Sequence, residues 1–191
     1  MQKIGTLFKR NDEGTIAGPV DFTRDEYAII LNGKAVPTIK KDGACCCILK
    51  GGLYKRYDAK NGKKPPEGAI PCCDPDPVTG HWPHWVKCER NKPEDKYFFE
   101  GFDAGKYEDG TYELIGPKVA SNPYHLSEHI LYKHGSLVIP ELTRAYTDIQ
   151  ELYEALEYWI FWHNEEGIVF WLAGAPWCKI RKKDFGFRWA K

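Results

Sequence analysis

Short apolar-rich stretches separated by Gly, Pro, Asn and Asp recur along this chain, and they predict strands. One begins near Ala35, a second covers residues 44–49, and a third returns over 53–58, with Gly51-Gly52 as the tight turn between the last two. Residues 97–102, 111–115 and 129–134 read the same way, and 166–172 and 177–181 supply the closing strands. Helical spacing is clear once: Leu152, Leu156, Trp159, Ile160 and His163 share a face, and Thr147-Asp148-Ile149-Gln150 reads as the capping box that opens the helix. A second box, Thr23-Arg24-Asp25-Glu26, predicts a short helix through Ile30, stopped by Asn32-Gly33. Residues 61–85 are rich in Gly and Pro and read as one long loop. Strands therefore dominate, with a few flanking helices, so the expected class is α+β with mainly antiparallel sheets. No internal repeat or linker interrupts the pattern, and the expectation is a single domain over 1–191.

Composition narrows the class. At 42% hydrophobic and 14% aromatic, the chain is too apolar to stay disordered. No run approaches the roughly 18 apolar residues of a membrane helix, and residues 1–10 lack a secretory apolar stretch. The expectation is a soluble, cytoplasmic protein. Seven cysteines, three of them consecutive (Cys45, Cys46, Cys47) and two adjacent (Cys72, Cys73), make a poor disulfide framework and suit reduced thiols. Zinc on Cys72, Cys73, His81, His84 and Cys88 would match no common ligand spacing. Lys+Arg and Asp+Glu both number 27, but basic residues crowd 50–64 and 179–191, while 94–113 is acidic. Two basic patches suit a polyphosphate or a nucleic acid. There is no Gly-x-x-x-x-Gly-Lys-[Ser/Thr] run, which argues against a P-loop ATPase.

The candidate chemistry starts at "TIKKDG". A lysine attacks phosphorus only as the neutral amine, so a nucleophilic Lys40 needs a site that lowers its usual pKa of about 10.4, through burial or neighbouring positive charge. Three blocks follow downstream. "TYELIGP" places Glu113 in a strand, "EEGIVF" places Glu166 at the start of another, and "WCKIRKKDFG" places Lys179 and Arg181 two apart on one face.

Those four blocks, in that order, resemble motifs I, III, IV and V of the covalent nucleotidyltransferases, the ATP-dependent ligases and mRNA capping enzymes. "DPVTGHWPHW" and "KIRKKDFG" are similar to blocks of a small ATP-dependent 5′–3′ RNA ligase family, which includes a vertebrate RNA ligase and viral relatives. The likeness runs from about Val36 to Trp189, giving a core of about 36–191 behind a short lead-in of 1–35.

The resemblance implies a nucleotidyltransferase core and a set of roles. Lys40 would take AMP from ATP, while Lys41 would face away from it. Arg56 would touch ribose or phosphate. Glu113 would contact the ribose or a metal, and Glu166 would hold Mg²⁺ or Mn²⁺. Lys179 would meet the α-phosphate. Arg181 stands where the family usually has a second lysine; its permanent charge can hold a phosphate but cannot donate a proton, and Lys182 is the alternative. Tyr132 or His134, two apart in one strand, would stack on adenine. The implied activity is ATP-dependent sealing of 5′-phosphate and 3′-hydroxyl RNA ends by a monomer, through a lysyl-AMP intermediate. The alternatives are a DNA ligase, a capping-type enzyme, or a non-catalytic protein that binds RNA ends with aromatics and basic patches.

Overall fold

The structure, a computed structural model, describes residues 3–17, 19–60, 62–77 and 79–189. Its strands are β1 (Gly5–Thr6), β2 (Val36–Lys40), β3 (Ala44–Leu49), β4 (Gly52–Ala59), β5 (Ile70–Pro71), β6 (Trp82–Lys87), β7 (Gly110–Ile115), β8 (Ile130–Lys133), β9 (Gly167–Leu172) and β10 (Ala175–Arg181). Two α-helices accompany them, α1 (Lys96–Asp103) and α2 (Ile149–Trp162). The fold is thus mixed, with two mostly antiparallel sheets and few helices.

The chain divides into two compact units. One is discontinuous, built from residues 4–41 and 135–191, and the other is the segment 42–134 inserted between them, joined by Lys3.

The discontinuous unit holds a four-stranded sheet in the order β1-β10-β9-β2, antiparallel except where β1 runs parallel to β10. Period-2 alternation does the sorting. The row Ile39, Ile168 and Ile180 packs on the core, with Leu7, Phe8, Phe170 and Cys178. Helix α2 closes this core with the predicted Leu152, Leu156, Trp159 and Ile160, all buried. His163 falls just past the helix, where its ring stacks on Trp159. The cap sits one residue later than the sequence signature: Asp148 is the N-cap and accepts from Glu151 N at 2.9 Å, while the Glu151 carboxylate accepts from Thr147 N, the residue before the cap. The predicted Thr23 box does not form. The Thr23 hydroxyl donates to the Thr6 carbonyl instead, and residues 25–32 wind as a 3-10 helix that Gly33 ends in the left-handed region.

The inserted unit holds an antiparallel six-stranded sheet in the order β5-β6-β4-β3-β7-β8. The β3–β4 turn is Lys50-Gly51, both with positive φ, and the Asp109 carboxylate accepts from both backbone amides. One sheet face, with Cys46, Ile48, Leu53, Tyr112, Leu114 and Leu131, packs under α1. Here two readings are corrected. Residues 97–102 are helical, because Tyr97, Phe98, Gly101 and Phe102 recur at helical spacing and Pro93 opens the turn that leads in. The loop predicted over 61–85 is broken by β5 and ends at Trp82, where β6 pairs with β4 along its length. Asn61 and Val78, inside that predicted loop, lie outside the described residues, as do the last two residues of the predicted core.

Candidate functional site

The discontinuous unit carries Lys40, Glu166, Lys179 and Arg181. Register places them. Lys40 lies opposite Gly167, and Gly167 opposite Arg181; one step along, Thr38, Val169 and Lys179 form the next row on the same face. Lys40 and both members of the basic pair therefore share one sheet face, opposite the Ile39, Ile168 and Ile180 row. The Lys40 ammonium donates to the Glu166 carboxylate and, at 3.4 Å, to the Lys41 carbonyl. Both Lys40 and Glu166 are largely buried, at 23% and 16% side-chain exposure.

A second pair lies beside the first. Lys41 Nζ donates to Glu165 Oε1 at 2.6 Å. Burial pushes the Glu165 carboxyl up from its ordinary range, against the pull of Lys41. The signal for these pairs was in the sequence: a Lys-Lys doublet ends one strand, and a Glu-Glu doublet precedes its antiparallel neighbour.

Arg181 is engaged by a carboxylate that sequence reasoning did not single out. Asp184 is fully buried and accepts from the Arg181 backbone N at 2.9 Å, from its Nε at 3.2 Å and from its Nη2 at 2.9 Å. Arg10 Nη1 reaches the same carboxylate at 3.2 Å. Lys182 donates to the His163 carbonyl at 2.7 Å, and burial lowers its pKa.

Gly167 sits between Lys40 and Arg181 because nothing larger fits. A Cβ there would lie 2.1 Å from the Ile180 carbonyl oxygen and 2.7 Å from Arg181 Cα. The row consequently presents two side chains with a gap between them. Gly167→Ala is expected to destabilise the protein by about 1–3 kcal/mol or more, read by chemical denaturation; unchanged stability would show that β9 and β10 can part at no cost.

The inserted unit carries Arg56, Glu113, Tyr132 and His134. Cys45, Glu113 and Tyr132 form one cross-strand row over β3, β7 and β8. The Glu113 carboxylate bonds His134 Nε2 at 2.9 Å. His134 Nδ1 is buried with no hydrogen-bond partner among the described residues. Arg56 Nε donates to Asp58 Oδ1 at 2.9 Å. The Cys45 thiol is pushed up to about 12 by burial and then by Glu113, with Arg56 opposing.

Asp42-Gly43 opens this unit. The Asp42 amide donates to the Tyr124 hydroxyl at 2.7 Å, and a Cβ on Gly43 would meet the Leu114 carbonyl oxygen at 2.1 Å. Close approach to β7 thus demands the glycine, while its φ lies outside the left-handed region. Tyr124 was missed as a site neighbour, because it lies in a turn and only the folded chain brings its hydroxyl to the Asp42 amide.

No protein-family model matches the chain, and no curated protein matches it.

Proposed function

We propose that the protein is an ATP-dependent RNA ligase of the covalent nucleotidyltransferase type, with Lys40 as its nucleophile. The observation that carries this reading is a partly buried lysine hydrogen-bonded to a carboxylate, on the same sheet face as Lys179 and Arg181. Such a face offers a nucleophile, an acceptor for its proton and positive charge for phosphate.

The chemistry follows in three displacements. Lys40 Nζ sheds a proton, for which Glu166 is the hydrogen-bonded carboxylate, and attacks the α-phosphorus of ATP. A P–N bond forms, and the P–O bond to pyrophosphate breaks. An RNA 5′-phosphate oxygen then attacks the same phosphorus, and the lysine regains its amine. Finally, a 3′-hydroxyl attacks the 5′-phosphate and AMP departs. Lys179 and Arg181 would counter the charge that gathers on the phosphate oxygens. Glu166 is a hard carboxylate donor of the kind Mg²⁺ takes, and the ion would supply further neutralisation. The resemblance assigns Arg56, Glu113, Tyr132 and His134 to ribose, phosphate and adenine.

The test is the intact mass after a pyrophosphate wash and incubation with ATP and Mg²⁺. A gain of one AMP mapped to Lys40, followed by its transfer to a 5′-phosphorylated RNA, is the expected result. Folded protein that gains nothing would overturn the reading. A gain that passes only to DNA or to a 5′-diphosphate end would replace RNA ligation with one of the neighbouring activities.

A further inference from the structure

We propose that Cys45, Glu113 and His134 form a binding site for a divalent transition metal of zinc-like softness, within the inserted unit. The three side chains come from β3, from β7 and from the residue just after β8. One donor atom of each lies within 4.8 Å of the others, and this is the group that converges in this way among the described residues. Backbone pairing holds them there. Cys45 and Glu113 are direct cross-strand partners, and the His134 amide donates to the Thr111 carbonyl at 3.0 Å. Residues directly opposite in an antiparallel pair carry their side chains on the same face, so the sulfur and carboxylate face one another without any loop having to order.

The donor set chooses the ion. Sulfur, imidazole nitrogen and carboxylate oxygen together suit Zn²⁺ or Co²⁺, whereas Mg²⁺ takes oxygen alone. Three protein ligands leave a fourth position open, as at zinc sites that hold water or a ligand. The cluster is partly buried, which limits competition from solvent. The imidazole binds as the neutral ring, with its proton on the nitrogen away from the ion, and Cys45 binds as thiolate, its proton passing to solvent. His84, in β6, is buried with its Nδ1 on the Trp82 carbonyl at 2.8 Å. Glu113 and His134 are also given to the nucleotide in the reading above, so metal binding is read without nucleotide, and its outcome is independent of whether Lys40 takes up AMP.

The probe is Co²⁺, titrated into the full chain under thiol-free reducing conditions, with no nucleotide present. One cobalt per chain is expected, with a near-ultraviolet sulfur-to-cobalt band that Zn²⁺ bleaches and Mg²⁺ does not. Cys45→Ser is nearly isosteric and should remove the band and weaken binding at least ~10-fold. His134→Ala should weaken binding comparably, while Cys72→Ser and Cys73→Ser leave the band intact. A band that survives Cys45→Ser, a band lost in either loop variant, or no cobalt uptake by folded protein would overturn the proposal.

Discussion

Lys40→Arg is expected to abolish AMP uptake while leaving the fold as stable as the parent. Arginine keeps a positive charge and donors within reach of Glu166, so the ion pair that joins the end of β2 to the start of β9 survives. It cannot lose its proton near neutral pH, so it cannot attack phosphorus. Lys40→Ala should abolish uptake as well, but it also takes a cation from a carboxylate at 16% exposure and should lower the stability. Lys41→Ala, which disturbs the neighbouring Glu165 pair, should retain uptake. Mass spectrometry and denaturation on the three variants separate nucleophile from structural cation. Uptake that persists in Lys40→Arg would remove Lys40 from the reaction.

Asp184→Ala is expected to cost about 3–5 kcal/mol, the penalty of breaking a buried ion pair and stranding its charge. Its carboxylate is fully buried and takes three bonds from Arg181 and one from Arg10. The alanine variant leaves the Arg181 guanidinium, at 14% exposure, without that carboxylate. Asp184→Asn keeps the shape and some acceptor capacity and should cost less. A loss below about 1 kcal/mol in Asp184→Ala would place this network among surface pairs, whose contributions are of that size. In the proposed enzyme the same variant tests Arg181. If that guanidinium serves phosphate, freeing it from Asp184 changes the affinity for ATP; if it serves the fold alone, only stability moves.

The alternating strands were legible, because one buried face writes itself into the sequence at every second residue. The rows of β2, β9 and β10 could be anticipated from "TIK", "GIVF" and "KIR". So could the apolar stripe of α2. Elements whose character is set by partners were not legible. Tyr97, Phe98, Phe99 and Phe102 favour strands by propensity, but here their bulk is used as a helical lid on the inserted sheet. Pro83 disguised β6, although a proline next to a strand end breaks little pairing there. Thr23 and Glu26 had the spacing of a cap, but the hydroxyl found a backbone carbonyl from β1 and the carboxylate found Arg24. In the site, Lys40, Lys179 and Arg181 could be placed by strand period, whereas Glu166 lies just before β9 and reaches Lys40 from outside the strand. The Glu113–His134 bond and the pairing of Cys45 with Glu113 needed the actual pairing of strands, which no local pattern specifies. The burial of Asp184, three residues past Arg181 in a 3-10 turn, needed the packing around it.

The discontinuous unit has a consequence for the order in which the protein takes shape as it is made. Ile39 N bonds the Leu137 carbonyl at 2.8 Å, and Ile139 N bonds the Pro37 carbonyl at 2.9 Å, so the chain leaves this unit and re-enters it along adjacent, oppositely directed segments. Its central strand β9 and the partner of β1, Cys178 on β10, are translated after the whole of residues 42–134. On the ribosome, the segment around Leu7 and Phe8 can pair with residues 21–23 at once, but β2 and the β10-facing edge of β1 must wait for β9 and β10, while the inserted unit is made as one continuous segment. The inserted unit can fold first, and Lys40 acquires Glu166 only after residues 42–134 have been made. Until then the amino-terminal segment is a sticky strand edge, and a chaperone that shields it would act in that interval.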